Sequence, residues 1–531
     1  MADGSENHLS GGSPVPWVAF VLPSVTDLIF LALLGVLLFT PLSNKLLSDA
    51  GTGWHIRAGQ LIVVTHAVPR VDTFSSTMSG KPWFAWEWLY DVVVGRLEAA
   101  WGLNGVVWLT ACVIATVFAW TFRLLIRRGV NVLAGIVLVL LALSASTIHF
   151  LARPHVVSWL FTLVWFWILD CVESDRARSR RWLFFLPLLM LVWVNVHGGF
   201  LLGFVLLAIF WIGSAWDWFR GREDRLEDSL RRIAAQKRFR DLTLVGLLSA
   251  LASLVNPYGW HLHAHIYGYL TNRFLMNHVD EFQSPNFHDL APRCFAILVL
   301  IVVGAVMARG RNLRISSALA LLFAIYAALY ASRNIPTSSI LLVMIAAPLF
   351  RREDCQPLPG DQHRAGFLQR MTAVELRQRG NVWCIVGVLG TASICMLGGR
   401  LGTKQLIDAH FNSSRMPTEA VNHLANAETA GTVLAPDYWG GYLIYRLYPR
   451  TRVVVDDRHD LYGEQFLSSY LKWIHAESGW QEFVEAQGVG CILLPRNAAI
   501  ATLMEASRDW RTVYADSQAV MFVRNSKTQP N

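Results

Sequence analysis

Eleven apolar runs recur along this chain, near 24–43, 103–122, 130–150, 156–172, 182–196, 199–216, 242–256, 294–308, 315–332, 335–350 and 382–399. Backbone inside a bilayer must satisfy its own hydrogen bonds, so each run is expected as a membrane helix. The composition agrees. Of 531 residues, 54% are hydrophobic and only 16% charged, against about 25% charged in soluble domains. Disorder, a coiled coil and a disulfide mini-scaffold are excluded. The expected fold is mainly α: a polytopic transmembrane bundle of about 11 helices.

The formal charge of +8 is topological rather than a sign of nucleic acid. Loops 123–129, 173–181, 217–241, 309–314 and 351–381 together hold 24 Lys and Arg, and the whole segment 44–102 holds five. The short loops around Arg153, Gly198, Asn272 and Arg333 hold few. The positive-inside rule therefore puts the N-terminus in the cytoplasm and the C-terminus outside. Residues 1–19 are expected as a disordered cytoplasmic tail, because Met1–Pro14 lacks the basic region of a signal peptide. Seven cysteines are scattered, with only Cys491 in the C-terminal part, which argues against disulfides and zinc.

Residues 20–399 thus form a membrane domain with a first outer loop, 44–102, and a cytoplasmic loop, 351–381. Two amphipathic stretches in the outer loop, 54–64 and 85–101, are expected as interfacial helices joined by a Pro/Gly/Ser-rich connector, 68–82. The tail, 400–531, alternates β-branched runs with helical patterns. It predicts a small outer α/β domain with a mostly parallel sheet and a terminal hairpin.

The densest polar cluster is the first outer loop, with Asp49, His55, Asp72 and Glu87. A carboxylate there could deprotonate an acceptor hydroxyl. At the outer helix ends stand Arg153-Pro154-His155, Asn195-Val196-His197-Gly198-Gly199, Asn256-Pro257-Tyr258-Gly259 and Arg333-Asn334-Ile335-Pro336. Cations at that depth usually face a cavity or an anion, and four such turns on one side suggest a shared cleft. In the tail, Asp456-Asp457-Arg458-His459-Asp460 follows a strand, where ligands of open α/β sheets bind. Helix caps, turns and headgroup anchors use the same residue types, so each residue also has a purely structural reading.

These residues together resemble the multi-spanning GT-C-type glycosyltransferases of bacteria, in particular a poorly characterised branch. The resemblance rests on Asp49…Trp54-His55…Gly59, Pro69…Asp72…Phe74-Ser75…Thr77, Gly80…Pro82-Trp83 and Glu87-Trp88-Leu89. It also rests on the four turns above, on Trp439-Gly440-Gly441-Tyr442-Leu443 and on Asp456…Arg458. It implies a bacterial cytoplasmic-membrane enzyme that takes a sugar from a polyprenyl-phosphate donor. The acceptor would be an envelope glycan, a lipid or a protein. Asp49 matches the carboxylate that acts as base in such enzymes. Arg153, His155, His197 and Arg333 are the candidates for the lipid phosphate, His55, Asp72 and Glu87 further catalytic or acceptor candidates, and Asp456 and Arg458 acceptor-side residues. Many superfamily members carry an acidic pair at the base position, whereas Asp49 is followed by Ala50 and Gly51. No cofactor is therefore read with certainty, and a divalent metal there stays open. The alternatives are a glycan polymerase or ligase, a non-catalytic protein binding glycan or a partner through its tail, and a transporter.

Overall fold

The computed structural model describes residues 21–174, 180–221, 226–310, 313–351, 367–378, 381–426 and 431–525. The expected tail at 1–19 and most of the loop at 351–381 lie outside them. Every one of the eleven apolar runs is helical: α1 Val25–Phe39, α4 Leu103–Arg127, α5 Val132–Ser146, α6 His155–Glu173, α7 Leu186–Trp193, α8 Leu201–Arg220, α9 Leu226–Ser253, α10 Leu290–Arg309, α11 Ile315–Tyr330, α12 Ile335–Ala346 and α13 Val382–Met396. Two helices of the first loop complete the numbering, α2 Gly51–Thr65 and α3 Trp88–Trp101.

Among the described residues, six helices are long and apolar enough to cross a membrane, or seven if a bent pair ending in α13 counts as one span. The chain is therefore multi-pass. Others fall short of that length for visible reasons. Thr40-Pro41 ends α1 after 15 residues, and the run at 182–196 is split, with Pro187 in the first turn of α7. Helix α9 is 28 residues long, but Lys237 and several arginines occupy its first half. Helix α12 is buried along nearly its whole length and packs on α4, α5, α6, α10 and α11.

The tail folds as expected into alternating helices and strands: β1 Gly431–Leu434, β2 Thr451–Val453, β3 Cys491–Pro495, β4 Trp510–Ala515 and β5 Ala519–Arg524. The sheet order is β2-β1-β3-β5-β4. Strand β1 pairs parallel with β2 and β3, whereas β5 pairs antiparallel with β3 and β4. The sheet is thus evenly mixed rather than mostly parallel, because the terminal hairpin returns along β3. Alternation along the strands sorts two faces. Val433, Val453, Leu493 and Met521 join the apolar core that continues into the membrane bundle. Leu434, Ile492, Leu494, Val520 and Phe522 join a second core under the tail's own helices.

The first loop is built into this tail. Ser76 N–H donates to Val453 O at 2.8 Å and Thr77 Oγ1 donates to Val454 O at 2.6 Å, so the connector borders β2. Helix α2 crosses the tail helix α14, Asp437–Leu447, at bare glycines. A Cβ on Gly53 or Gly441 would collide with the facing backbone. Helix α2 crosses α3 in the same way at Gly59 and Gly95.

One cation locks the join. Arg458, only 3% exposed, donates from Nε and Nη2 to both oxygens of Asp456, at 2.8 and 2.7 Å. Its Nη1 stands 2.8 Å from Asp72 of the first loop, and its guanidinium lies over Trp83, Phe74 and Trp54. Asp72 is capped further by Ser75, whose hydroxyl donates at 2.6 Å. Replacing Arg458 with Met leaves two carboxylates buried without their cation. The expected loss is about 3–5 kcal/mol, and Arg458→Lys should recover little because an ammonium cannot make the forked pair. Thermal unfolding in detergent reads this, and an unchanged midpoint for Arg458→Met would overturn the assignment.

Candidate active site

Between the bundle, the first loop and the tail lies a cavity of about 1820 Å³. Asp49, Glu87, Arg153, His155, His197, Arg333 and Arg458 all line it. Seven of the ten sequence-derived candidates therefore converge on one space. Asp72 and Asp456, buried at 1% and 0% exposure, stand behind its wall as partners of Arg458. His55 is fully buried one layer behind Glu87.

Asp49 precedes α2, and its Oδ1 accepts two bonds, from Gly51 N–H at 2.7 Å and from Arg153 Nη1 at 2.9 Å. The same Nη1 donates to Asp457 Oδ2 at 3.0 Å. One arginine thus joins a carboxylate of the first loop to a carboxylate of the tail. Gly51 permits it, since a Cβ there would occupy the place of the Arg153 guanidinium and the Asp457 carboxylate. Burial raises the Asp457 carboxyl to about 6, against the pull of Arg153.

On the opposite side, Arg333 Nη1 pairs with Glu281 Oε1 at 3.1 Å and lies over Phe282. Although burial works the other way, Arg333 holds Glu281 down at about 2. His155 Nε2 stands 2.9 Å from His149 O, which fixes its ring. Burial, reinforced by Arg333, lowers His197 to about 3, so it is neutral. Burial also raises Glu87 to about 7, opposed by Arg153. Of the first-loop carboxylates lining the cavity, Asp49 is bonded to an arginine and Glu87 is pressed toward neutrality, the kind of difference in environment that separates an acid from a base.

Sequence reading missed Asp91, Glu281, Asp437, Asp457 and His459 as site members. Asp457 and His459 lay in the run after β2 that its strand-end position had singled out, but of that run only Asp456 and Arg458 were named as candidates. Glu281 and Asp437 reach the cavity through the tertiary arrangement alone. Among the described residues, no group of three or more His, Cys, Asp or Glu is placed to hold a metal ion.

Three solved structures share this architecture. The oligosaccharyltransferase of Archaeoglobus fulgidus, tethered with an acceptor peptide containing the NVT sequon, is similar at a TM-score of 0.56. It is 10% identical, over 95% of this chain and 74% of that one. ArnT from Cupriavidus metallidurans in the apo state is similar at 0.53 and 11% identity, over 96% of this chain and 98% of that one. ArnT bound to undecaprenyl phosphate is similar at 0.52 and 13% identity, over 98% and 100%. The fold expected from the sequence motifs is thus the fold that these structures share with the chain. No family model matches the chain, and no curated protein matches it in sequence.

On the tail side of the cavity, His459 Nε2 lies 2.6 Å from Asp437 Oδ2, and Tyr470 donates to Asp437 Oδ1 at 2.7 Å. Against the effect of burial, the bond to Asp437 raises His459 to about 9. A raised histidine stabilises fully below its unfolded pKa of about 6.5 and stops doing so as pH climbs through the folded value. The melting-temperature gap between wild type and His459→Asn should therefore be widest below about pH 6.5 and close as pH rises through about 9. A gap that widens with pH would contradict the charged pair.

Proposed function

We propose that the chain is a membrane glycosyltransferase that moves a sugar from a polyprenyl-phosphate carrier to an envelope glycan, lipid or protein acceptor on the extracytoplasmic face. The observation that carries this reading is Asp49, 28% exposed and held by Arg153 in a cavity that two further cations, Arg333 and the raised His459, also line. The fold shared with ArnT, whose structure holds undecaprenyl phosphate, supports the donor class.

The reaction we infer is a single displacement. Asp49 takes the proton of the acceptor hydroxyl, the oxygen attacks the anomeric carbon, and polyprenyl phosphate leaves. Arg153 donates to both carboxylates through Nη1, and in this reading its Nε and Nη2 meet the phosphate. Arg333, His155 and His197 surround the same space and complete the candidate phosphate wall. Charge developing on the leaving phosphate would meet donors already fixed in place. Asp456 and Arg458 serve the acceptor side by holding the tail wall, and Asp72 by anchoring the loop against it.

Release of free polyprenyl phosphate from a panel of polyprenyl-phosphate sugars, in nanodiscs, tests the proposal. Asp49→Asn should slow release by about 10²–10⁴-fold while carrier binding persists. The product should carry the inverted anomeric configuration. Equal release by Asp49→Asn would remove Asp49 as the base, and a retained configuration would remove the single displacement.

A further inference from the structure

Glu87 stands at the N-terminus of α3, yet its side chain makes no capping bond to that helix. Its two oxygens instead face two histidines, Oε2 at 3.6 Å from His55 Nε2 and Oε1 at 3.7 Å from His197 Nε2. Each ring is fixed from behind. His197 Nδ1 accepts from Gly199 N–H at 3.0 Å and stands 2.8 Å from Ser158 Oγ. Ser158 Oγ already accepts from Trp193 Nε1 at 2.8 Å, so its hydroxyl hydrogen is left for His197. With Nδ1 an acceptor, the neutral His197 carries its proton on Nε2, the atom aimed at Glu87.

His55 Nδ1 lies 2.6 Å from Asp91 Oδ1, so His55 also presents only Nε2 to Glu87. Trp54 stacks on the His55 ring at 3.6 Å and prevents it from turning. His55 and Asp91 are both 0% exposed, and among the described residues His55 Nε2 and Asp91 Oδ2 have no hydrogen-bond partner. An unsatisfied buried polar atom costs about 1–3 kcal/mol. Packing therefore gives no reason to bury this row, and it ends on a cavity-lining carboxyl.

We infer that Glu87 is the acid of the displacement: it gives its proton to the departing phosphate oxygen, while His55 and His197 position it and Asp91 orients His55. This rests on the reading of the site as a glycosyltransferase. The balance closes. The acceptor O–H proton passes to Asp49, the new C–O bond forms as the anomeric C–O bond to phosphate breaks, and the Glu87 proton moves to that oxygen. Polyprenyl phosphate leaves as a monoanion, and the enzyme resets by returning one proton from Asp49 to Glu87 through solvent. Burial holds the Glu87 carboxyl at about 7, so it carries a proton in a large share of molecules near neutral pH. The charged and titratable groups facing it are His55, His197, Arg153, Arg333 and Asp460, with Asp91 behind His55.

The test is the pH profile of polyprenyl phosphate release, with water or a found acceptor, for wild type and Glu87→Gln. Wild-type turnover should fall about tenfold per unit above the Glu87 transition, and Glu87→Gln should be slower by 10²-fold or more, as expected for a lost acid, and lack that alkaline limb. Should Glu87→Gln fail to fold, Glu87→Asp keeps the question open to measurement: a slowed enzyme that retains the limb supports the acid role. His55→Asn should displace the limb, a change that lost packing alone would not produce. A Glu87→Gln enzyme with wild-type rate and profile overturns this inference and leaves the glycosyltransferase reading standing. A wild-type protein that binds carrier but releases nothing from any donor overturns both.

Discussion

The architecture depends on one buried guanidinium. Arg458 comes from the tail, its bidentate partner Asp456 lies two residues before it, and its third contact, Asp72, comes from the first loop. Burying an arginine is unfavourable unless every charge around it is answered, and here two carboxylates and three aromatic faces answer it. The neighbours Asp457, His459 and Asp460 flank Arg458 in the chain and line the cavity. The same anchor that joins tail to loop therefore also sets where the cavity-facing groups of the tail stand.

Close glycine crossings make that anchor geometrically feasible. Gly53 against Gly441 and Gly59 against Gly95 bring α14, α2 and α3 to backbone contact. Helix α2 is consequently covered on most sides: Trp54, His55, Ile56, Ala58 and Gly59 are all buried. Its position places Asp49 against Arg153, and the same guanidinium nitrogen also meets Asp457 of the tail. One arginine thus ties together carboxylates from two distant segments.

Much of this was legible in the sequence. All eleven apolar runs became helices because hydrophobic length is a local property. The tail strands were readable for the same reason, through short β-branched runs between helical patterns. The mixed sheet was not, since pairing direction depends on how a hairpin returns. The polar turns at Arg153, His197 and Arg333 converge on the cavity as their shared position at helix ends suggests. Asp72 was readable as a member of the first-loop polar cluster, but sequence could not say that its partner lay 386 positions away at Arg458.

By itself, the sequence determined the membrane class, the helix inventory, the α/β tail and the cluster of polar residues at helix ends. These follow from hydrophobicity and periodicity, which act within a few turns of chain. Only the tertiary structure decided which charges pair. It assigned Arg458 to the wall, Arg153 to a bridge between two carboxylates, and Glu87 to a niche between two histidines. The physical reason is range: burial and opposite charge act through space over a few ångströms, and residues hundreds of positions apart meet only once the fold has brought their segments together.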